Sequence, residues 1–456
     1  MSVVHPEIRA VSPLRADAAL LPLLHAGHLQ RTLAWHHGRA VSAGTFLTHV
    51  EQVAATLPAA PAAVNLCADR YAFLVAFCAL IVRGQVNLLP PSRAPHMVAE
   101  VMAAHPGCYA LGEGDLAPAP PGYHRLPPLT DTANATQVPM IPADQLALVA
   151  YTSGSTGTPR ANAKCWGALH AASRGTRAML DRVAGTRFNV VATVPPQHVY
   201  GIETSVLLPL FGNVAVHAGR PFFPADVAAA LAAIPAPRVL VITPVHLHTL
   251  VAAGLPLPPL AALLSATAPM PPDLAHAAEQ AFAAPVLEVF GSTETCAIAS
   301  RRLTVESDWA LYPGVRLHPR PDGTEVTAPQ LDAPVVLADL MEVDAAAQRF
   351  RLRGRQADLL EIAGKRASLG DLTRRLLAIP GVVDAALLQL DTADAAGVHR
   401  VAALVVAPTL DEAAILAALR DAIDPVFLPR PLRRVAALPR NETGKLPRAA
   451  LLALLG

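Results

Sequence analysis

The ten residues from Tyr151 to Arg160 form a segment of this sequence that could bind a ligand. They read Tyr-Thr-Ser-Gly-Ser-Thr-Gly-Thr-Pro-Arg, and seven of the ten are Gly, Ser or Thr. This composition combines backbone freedom with N–H and hydroxyl donors, which a loop needs in order to surround phosphate oxygens. A polar turn after a strand can also be purely structural, so the other segments must decide. The candidate phosphate-binding residues are Thr152, Ser153, Gly154, Ser155, Thr156 and Gly157.

An ordinary P-loop NTPase is disfavoured. The Walker A pattern requires a glycine, four residues, and then Gly-Lys-Ser/Thr. Lys365 and Lys445 each follow a glycine, but Leu359 and Pro439 stand where the first glycine should be.

Three further segments hold polar residues that could do chemistry. Residues 194–203 read Val-Pro-Pro-Gln-His-Val-Tyr-Gly-Ile-Glu, residues 290–295 read Phe-Gly-Ser-Thr-Glu-Thr, and residues 438–448 read Leu-Pro-Arg-Asn-Glu-Thr-Gly-Lys-Leu-Pro-Arg. Each has an ordinary structural interpretation, because a lone histidine is usually a loop residue, and a carboxylate such as Glu203 is common in the first turn of a helix. A single basic tail peptide is usually a solvated turn.

Together these segments resemble the motifs of the adenylate-forming superfamily, which includes acyl-CoA synthetases, luciferases and the adenylation domains of peptide synthetases. The family loop, Tyr/Phe-Thr-Ser-Gly-Ser/Thr-Thr-Gly-x-Pro-Lys, differs here only at Arg160. Residues 290–295 match aromatic-Gly-x-Thr-Glu, and residues 441–448 match the closing motif Asn-x-x-Gly-Lys-x-x-Arg. Several partly independent motifs in the right order make coincidence an unsatisfactory explanation.

The resemblance implies roles for residues at the matching positions. Thr293 would bind the α-phosphate of ATP, Glu294 would hold Mg²⁺, and Lys445 would be the adenylation lysine. Thr156 in the phosphate loop is a third catalytic candidate, beside Lys445 and His198. The other expected nucleotide contacts are Thr267 in the adenine turn, Gly291, Ser292, and the ribose candidates Asp339 and Arg355.

The same resemblance predicts an acid-binding pocket. His198 matches the residue that gates the carboxylate pocket in the family. Glu203 has three open interpretations: it could contact a substrate amine, accept a phenolic hydroxyl, or favour a helix N-terminus. The expected pocket residues are His198, Tyr200, Glu203, Val245, Ser265, Ala266 and Gly291.

Some positions depart from the family pattern. Ala357 and Glu361 replace the usual hinge Asp and Lys, and only Asp339 and Leu340 match the family's ribose segment. A non-catalytic nucleotide-binding or carrier-protein-binding homologue is therefore an alternative, although the retention of Glu294 and Lys445 opposes it. Residues 364–369 still fit the loop that lines the pantetheine tunnel.

Within the superfamily, residues 194–203, 288–295, 298–302 and 364–369 most resemble the short ligases of aryl polyene and xanthomonadin-type pigment pathways. That likeness implies an aromatic acid, such as a hydroxybenzoate, that is activated with ATP and Mg²⁺. The acceptor would be the phosphopantetheine thiol of an acyl carrier protein. A medium-chain acyl-CoA or aryl-CoA synthetase carries the same motifs, so CoA is the alternative acceptor.

The elements that must position these residues alternate between apolar runs and helix-period segments. The apolar runs predict strands over residues 146–150 and 432–438, the pattern of residues 42–57 predicts an amphipathic helix, and the prolines of residues 118–128 indicate a connecting loop. From residue 146 to residue 294 the alternation is typical of a mostly parallel sheet flanked by helices. The distinctive segments follow Ala150, Thr193, Thr243, Leu264 and Phe290, where strands are expected to end, and ligands gather at such strand ends. We predict an α/β fold, with a large N-terminal domain over residues 1–353 and a small, mobile α+β C-terminal domain over residues 354–456.

Composition excludes several other classes. The 456 residues carry a net charge of +1 and only 4% aromatic residues, which gives no basic face for nucleic acid. The five cysteines lack CxxC spacing, which argues against a disulfide framework or zinc site. No secretory signal or run long enough to cross a bilayer is visible, so a cytoplasmic location is expected. The oligomeric state stays open.

Overall fold

The computed structural model describes residues 19–25, 28–131, 135–152, 160–355, 359–362, 365–393, 399–441 and 444–455. The chain divides into two compact units. The first comprises Met1–Val315 and Thr327–Ala333, and the second comprises Arg316–Val326 and Pro334–Gly456. This division differs from the predicted one at residue 353, because residues 334–353 and a segment around residue 320 belong to the second unit.

The first unit contains a six-stranded sheet, which is parallel except at one edge. The edge strand Arg160–Cys165 runs antiparallel to its neighbour, so the chain reverses direction after the glycine- and serine-rich segment. In spatial order the strands are Arg160–Cys165, Leu146–Thr152, Val86–Leu89, Ala62–Asn65, Tyr109–Gly112 and Tyr123–Arg125. Strands Leu20–Pro22 and Met140–Pro142 form a separate antiparallel pair.

The larger sheet of this unit has six consecutive parallel strands, with antiparallel strands at both ends. Its strands in spatial order are Trp309–Leu311, Cys296–Arg301, Val286–Ser292, Ala262–Ser265, Arg238–Ile242, Arg187–Ala192, Asn213–His217, Thr32–His36 and Arg39–Ser42. The helices of this unit are Ala43–Thr56, Arg70–Val82, Pro95–Ala103, Trp166–Ala184, Val199–Ile202, the π-helical Glu203–Leu207, Leu208–Phe211, Pro224–Ala232, Pro244–Ala252 and Pro272–Phe282. The predicted mixed α/β architecture is confirmed.

Local chemistry explains where two of the helices begin. The Ser42 hydroxyl accepts the Thr45 N–H at 3.0 Å, and the Asp69 carboxylate accepts the Ala72 N–H at 2.9 Å. Side-chain oxygens of this kind satisfy N–H groups that a helix start leaves unpaired. Helix Arg70–Val82 is apolar on all sides after its first residue and is buried along almost its whole length, as expected for a helix inside a core.

The second unit is smaller, and its described residues form short sheets, α-helices and a 3₁₀ turn. A fifteen-residue apolar cluster that includes Leu372, Leu387 and Ile415 forms its main core. Its strands are Arg316–Arg320, Gly323–Thr327, Val335–Leu337, Asp339–Asp344, Arg349–Arg355, Leu359–Ile362, Lys365–Ser368, Asp384–Ala393, His399–Val406 and Leu432–Arg434, and its helical segments are Leu369–Leu377, Glu412–Ala422, the 3₁₀ turn Pro425–Phe427 and Arg448–Ala453.

Three predicted elements differ from the structure. The strand predicted over residues 432–438 ends at Arg434, because its partner strand His399–Val406 is almost exhausted at that register. The proline-rich connection after residue 117 contains the strand Tyr123–Arg125, which is too short for an alternating pattern to be visible. His198 does not lie on a strand end but immediately before the short helix Val199–Ile202.

None of the helices in the described ranges combines the length and hydropathy that a transmembrane segment requires.

Candidate active site

Several predicted site residues of the first unit, among those that the structure describes, lie at or just after the carboxyl ends of parallel strands. Thr152 ends one strand of the six-stranded sheet, and Ser265 and Ser292 end two strands of the larger sheet. Thr267, in the segment predicted as the adenine turn, has a positive φ of 80°, a conformation that residues other than glycine rarely adopt. Ala266, Thr267, Val245 and Thr293 are all half-buried, and Gly291 is exposed.

Part of the predicted phosphate loop lies outside the described residues. This applies to Ser153, Gly154, Ser155, Thr156 and Gly157. Their assignment to phosphate binding, and that of Thr156 to catalysis, stays a prediction.

The segment that follows Ala192 is held by a buried arginine that the sequence analysis missed. Arg70 is fully buried, and its guanidinium donates to the carbonyl oxygens of Ala192 at 2.9 Å and Val194 at 2.8 Å. It also donates to the Ser205 hydroxyl. Burial lowers the pKa of Arg70 to about 9, which still leaves it charged at neutral pH. Arg70 therefore ties the strand end that precedes His198 to the π-helical turn that follows Ile202.

Tyr200 connects this segment to two strand ends. Its hydroxyl donates to the Leu264 carbonyl at 2.7 Å and lies 3.4 Å from the Ile242 carbonyl. Burial, followed by the nearby Glu203 charge, raises the Tyr200 pKa well above its usual value, so the phenol is protonated. Ser265 is buried beside Leu264, and its hydroxyl oxygen makes no hydrogen bond within the described part of the chain.

Gly201 allows this segment to pass close to the preceding turn. A Cβ atom at Gly201 would lie 1.9 Å from the Pro195 carbonyl oxygen. A contact that short is impossible without backbone movement. The glycine is therefore required by the close approach of the helix to the turn.

The predicted metal-binding segment is a tight hairpin between strands Val286–Ser292 and Cys296–Arg301. Ser292 and Thr295 stabilise its turn through reciprocal bonds of 3.2 Å between each N–H and the other residue's hydroxyl. Thr293 and Glu294 lie at the tip and are half-buried. The turn therefore presents a hydroxyl and a carboxylate side by side.

Three buried side chains from other parts of the first unit bind the backbone of this hairpin. Lys164 donates to the Glu294 carbonyl, and Gln330 donates to the Thr295 carbonyl at 3.0 Å. Glu203 accepts the Ala297 N–H with both carboxylate oxygens, each at 3.1 Å. Sequence reasoning missed Lys164 and Gln330, since neither belongs to a motif.

The Glu203 carboxylate thus contacts strand backbone rather than the N–H groups of its own helix. Glu203 is only 5% exposed. Burial raises its pKa to about 7, although the Ala297 N–H and the Lys164 charge act in the opposite direction.

A magnesium ion is compatible with the hairpin tip. Mg²⁺ commonly uses one or two protein carboxylates together with phosphate oxygens and waters. Among the described residues, the Glu294 carboxylate makes no hydrogen bond or ion pair, and no three His, Cys, Asp or Glu side chains form a self-sufficient metal site. The donor set therefore suits a metal that arrives with a nucleotide.

The remaining predicted residues belong to the second unit. Asp339 begins a hairpin and pairs in register with Arg355. Lys445 is exposed on a turn in which its N–H donates to the Asn441 side chain at 2.9 Å and the Asn441 N–H donates to its carbonyl at 2.8 Å. Arg440 supports this turn, because it binds Asp384 at 2.7 Å and the Gly444 carbonyl at 2.8 Å. The hinge position Ala357 and Gly364 lie outside the described residues.

Comparison with known proteins identifies the class. Residues 111–327 match the sequence model of the family described as AMP-binding enzyme. A 4-coumarate–CoA ligase of Rhodobacter capsulatus is 30% identical over 298 residues, which cover 64% of this chain and 73% of that protein. A sulfoacetate–CoA ligase of Cupriavidus necator is 28% identical over 385 residues, covering 73% and 72% of the two chains.

A solved structure shows the same fold. The o-succinylbenzoate CoA synthetase MenE from Bacillus subtilis, in complex with its acyl-adenylate intermediate, aligns with a TM-score of 0.76 at 16% identity, covering 92% of this chain and 95% of that one. The chain belongs to the AMP-binding enzyme family, whose members activate acids with ATP. The predicted membership of the adenylate-forming superfamily is confirmed.

Proposed function

We propose that this protein converts an aromatic carboxylic acid into its acyl adenylate and then transfers the acyl group to the phosphopantetheine thiol of an acyl carrier protein. The observation that carries the proposal is the anchoring of the hairpin tip. Lys164, on the strand that leaves the glycine- and serine-rich segment, holds one side of the tip, and Glu203, next to the helix that carries Tyr200, holds the other. Both side chains thus support the hairpin that carries Thr293 and Glu294, the proposed phosphate and metal contacts.

In the first step, a carboxylate oxygen of the acid forms a bond to the α-phosphorus of ATP, and the bond to pyrophosphate breaks. Two anions must approach each other, so catalysis depends on charge neutralisation and positioning. Thr293 would donate its hydroxyl to the α-phosphate, and Lys445 would neutralise the oxygens where the two groups join. Mg²⁺ on Glu294 would supply further positive charge to the phosphates.

In the second step, the acceptor thiol releases its proton to solvent and its sulfur bonds to the acyl carbon, and AMP leaves with the electrons of the broken carbon–oxygen bond. His198, before the helix that holds Tyr200, would gate the carboxylate pocket. Tyr200, Val245, Ser265, Ala266 and Gly291 would line it.

Two observations bear on the substrate and the acceptor. The likeness to ligases of aryl polyene and xanthomonadin-type pathways supports a hydroxybenzoate-like acid and a carrier protein. The two curated relatives are named CoA ligases, which makes CoA the second candidate acceptor.

ATP–pyrophosphate exchange over a panel of aryl and aliphatic acids tests the first step. We expect exchange with at least one aryl acid at a higher kcat/KM than with any aliphatic acid. No exchange with any acid would refute the proposed activity and favour a non-catalytic binding protein. The best acid, supplied with ATP and either CoA or holo carrier protein, then identifies the acceptor by thioester formation.

A further inference from the structure

Glu203 has a buried carboxylate that the proposed mechanism does not use. It is the first residue of the π-helical turn Glu203–Leu207, directly after the helix that carries Tyr200. Its partner, Ala297, is 94 residues further along the chain and lies on the strand that leaves the hairpin tip. The carboxylate therefore joins two parts of the candidate site.

The bond between Glu203 and the Ala297 N–H lies at the base of the hairpin turn. Ala297 pairs with Gly291, and Cys296 pairs with Ser292, so the Ala297 N–H is at the base of the turn that presents Thr293 and Glu294. A Cβ at Gly291 would lie 2.1 Å from the Cys296 carbonyl oxygen, so the two strands approach each other closely at the base of this turn. Because Ala297 lies only one turn of backbone from Glu294, we expect a displacement of Ala297 to displace the candidate phosphate and metal ligands as well.

A second carboxylate that binds the same hairpin, Glu279 of the helix Pro272–Phe282, provides the contrast. Glu279 accepts the Val286 N–H at 2.8 Å, at the opposite end of the strand Val286–Ser292. It also binds Arg302 and Thr304. Both carboxylates thus bind hairpin backbone, but only Glu203 does so beside the tip.

We propose that Glu203 is a positioning residue that sets Thr293 and Glu294 relative to the helix Val199–Ile202, and so couples the acid pocket to the nucleotide site. The inference rests on the proposed function, because that function assigns the phosphate and metal contacts to Thr293 and Glu294. Glu203 acts through the Ala297 N–H and need not touch the acid.

Pyrophosphate exchange with four variants tests the inference. In Glu203→Ala we expect the KM for MgATP to rise about tenfold or more, since supporting residues around a metal ligand typically have effects of this size. The KM for the acid should rise less. Glu203→Gln retains an acceptor oxygen and should stay within about twofold of wild type, whereas Glu203→Asp retains the charge but is shorter and should show a rise of several fold.

Glu279→Ala is the matched control, and its KM for MgATP should stay within about twofold of wild type even if its stability falls. An equal rise in this control, or no rise in Glu203→Ala, would overturn the inference. So would a rise confined to the KM of the acid, which would indicate direct contact between Glu203 and the substrate. If Glu203→Ala does not fold, the other two variants provide the test: a higher KM for MgATP in Glu203→Asp than in Glu203→Gln supports the inference, and equal KM values overturn it.

Calorimetric titration of MgATP separates this inference from the proposed activity. If wild type exchanges no pyrophosphate with any acid, the proposed activity fails, while nucleotide affinity can still be compared among the variants. Weaker binding in Glu203→Ala and Glu203→Asp, with binding retained in Glu203→Gln and Glu279→Ala, would support the positioning role. Equal affinity in all of them would refute it.

Discussion

Replacing Glu203 by Gln should change how the stability of the first unit depends on pH. The carboxyl is 5% exposed, and burial raises its pKa from 4.5 to about 7. Gln has nearly the same shape and can still accept the Ala297 N–H, but it cannot ionise. The substitution therefore removes the titration while preserving most of the packing.

The sign of the effect follows from proton binding in the two states. Below pH 4.5 both the folded and the unfolded chain carry the proton on Glu203, and its contribution to stability is greatest there. Between pH 4.5 and about 7 only the folded state retains the proton, so the free energy of unfolding decreases as pH rises. Above that range the contribution is lost, and the separation of the two pKa values corresponds to about 3 kcal/mol.

Tryptophan fluorescence can isolate this effect, because Trp35, Trp166 and Trp309, the only tryptophans of the sequence, all belong to the first unit. The free energy of unfolding in urea would be measured for wild type and Glu203→Gln from about pH 5 to about pH 8. The difference between the two free energies removes the contributions of the other titrating groups. Glu203→Gln should gain stability relative to wild type as pH rises. Parallel pH profiles, or a relative gain on acidification, would show that Lys164 and the Ala297 N–H outweigh burial and would refute the reasoning.

Two further predictions concern other parts of the proposed site. Lys445→Ala should lower acyl-adenylate formation about a hundredfold or more, as expected for the loss of a preorganised charge. Thioester formation from supplied acyl adenylate should stay largely intact. Equal loss of both half-reactions would argue against the role assigned to Lys445. Gly201→Ala should destabilise the first unit by about 1–3 kcal/mol or more, since its Cβ would meet the Pro195 carbonyl at 1.9 Å. Gly114→Ala, where nothing lies within 4 Å of the new Cβ, is the control in urea unfolding, and equal destabilisation of both variants would contradict the clash.

The strands and helices with strong patterns could be predicted from sequence. The apolar run before Tyr151 and the amphipathic segment after Ser42 each fall within two residues of the observed element. Strand Thr32–His36 could not be predicted in this way, because its place beside Asn213–His217 is set by a partner about 180 residues away. Pairing between such distant segments leaves no local periodicity to detect.

Some residues of the candidate site could likewise be predicted from a local sequence pattern, and others could not. Thr293 and Glu294 could be proposed as ligands because the proposed chemistry requires particular side chains at fixed spacing, and that spacing is present in the sequence as a motif. Lys164 and Gln330 could not, because they bind backbone carbonyls of residues 130 and 35 positions away. Every residue has a backbone carbonyl group, so a side chain that binds a carbonyl does not require any particular residue type in its partner. Such a contact therefore leaves no motif in the sequence.

Arg160, Ala357 and Glu361 depart from the family pattern at positions that belong to its motifs. Changes within a motif are visible in the sequence, but the geometry of the tip also depends on Glu203, Lys164 and Gln330, which belong to none of the motifs that recognise nucleotide. A chain could retain Glu294 and Lys445 and still misplace the metal if these supports were lost. Here all three supports are buried and bonded to the hairpin backbone, so the support of the tip is retained although the motifs depart from the family pattern elsewhere.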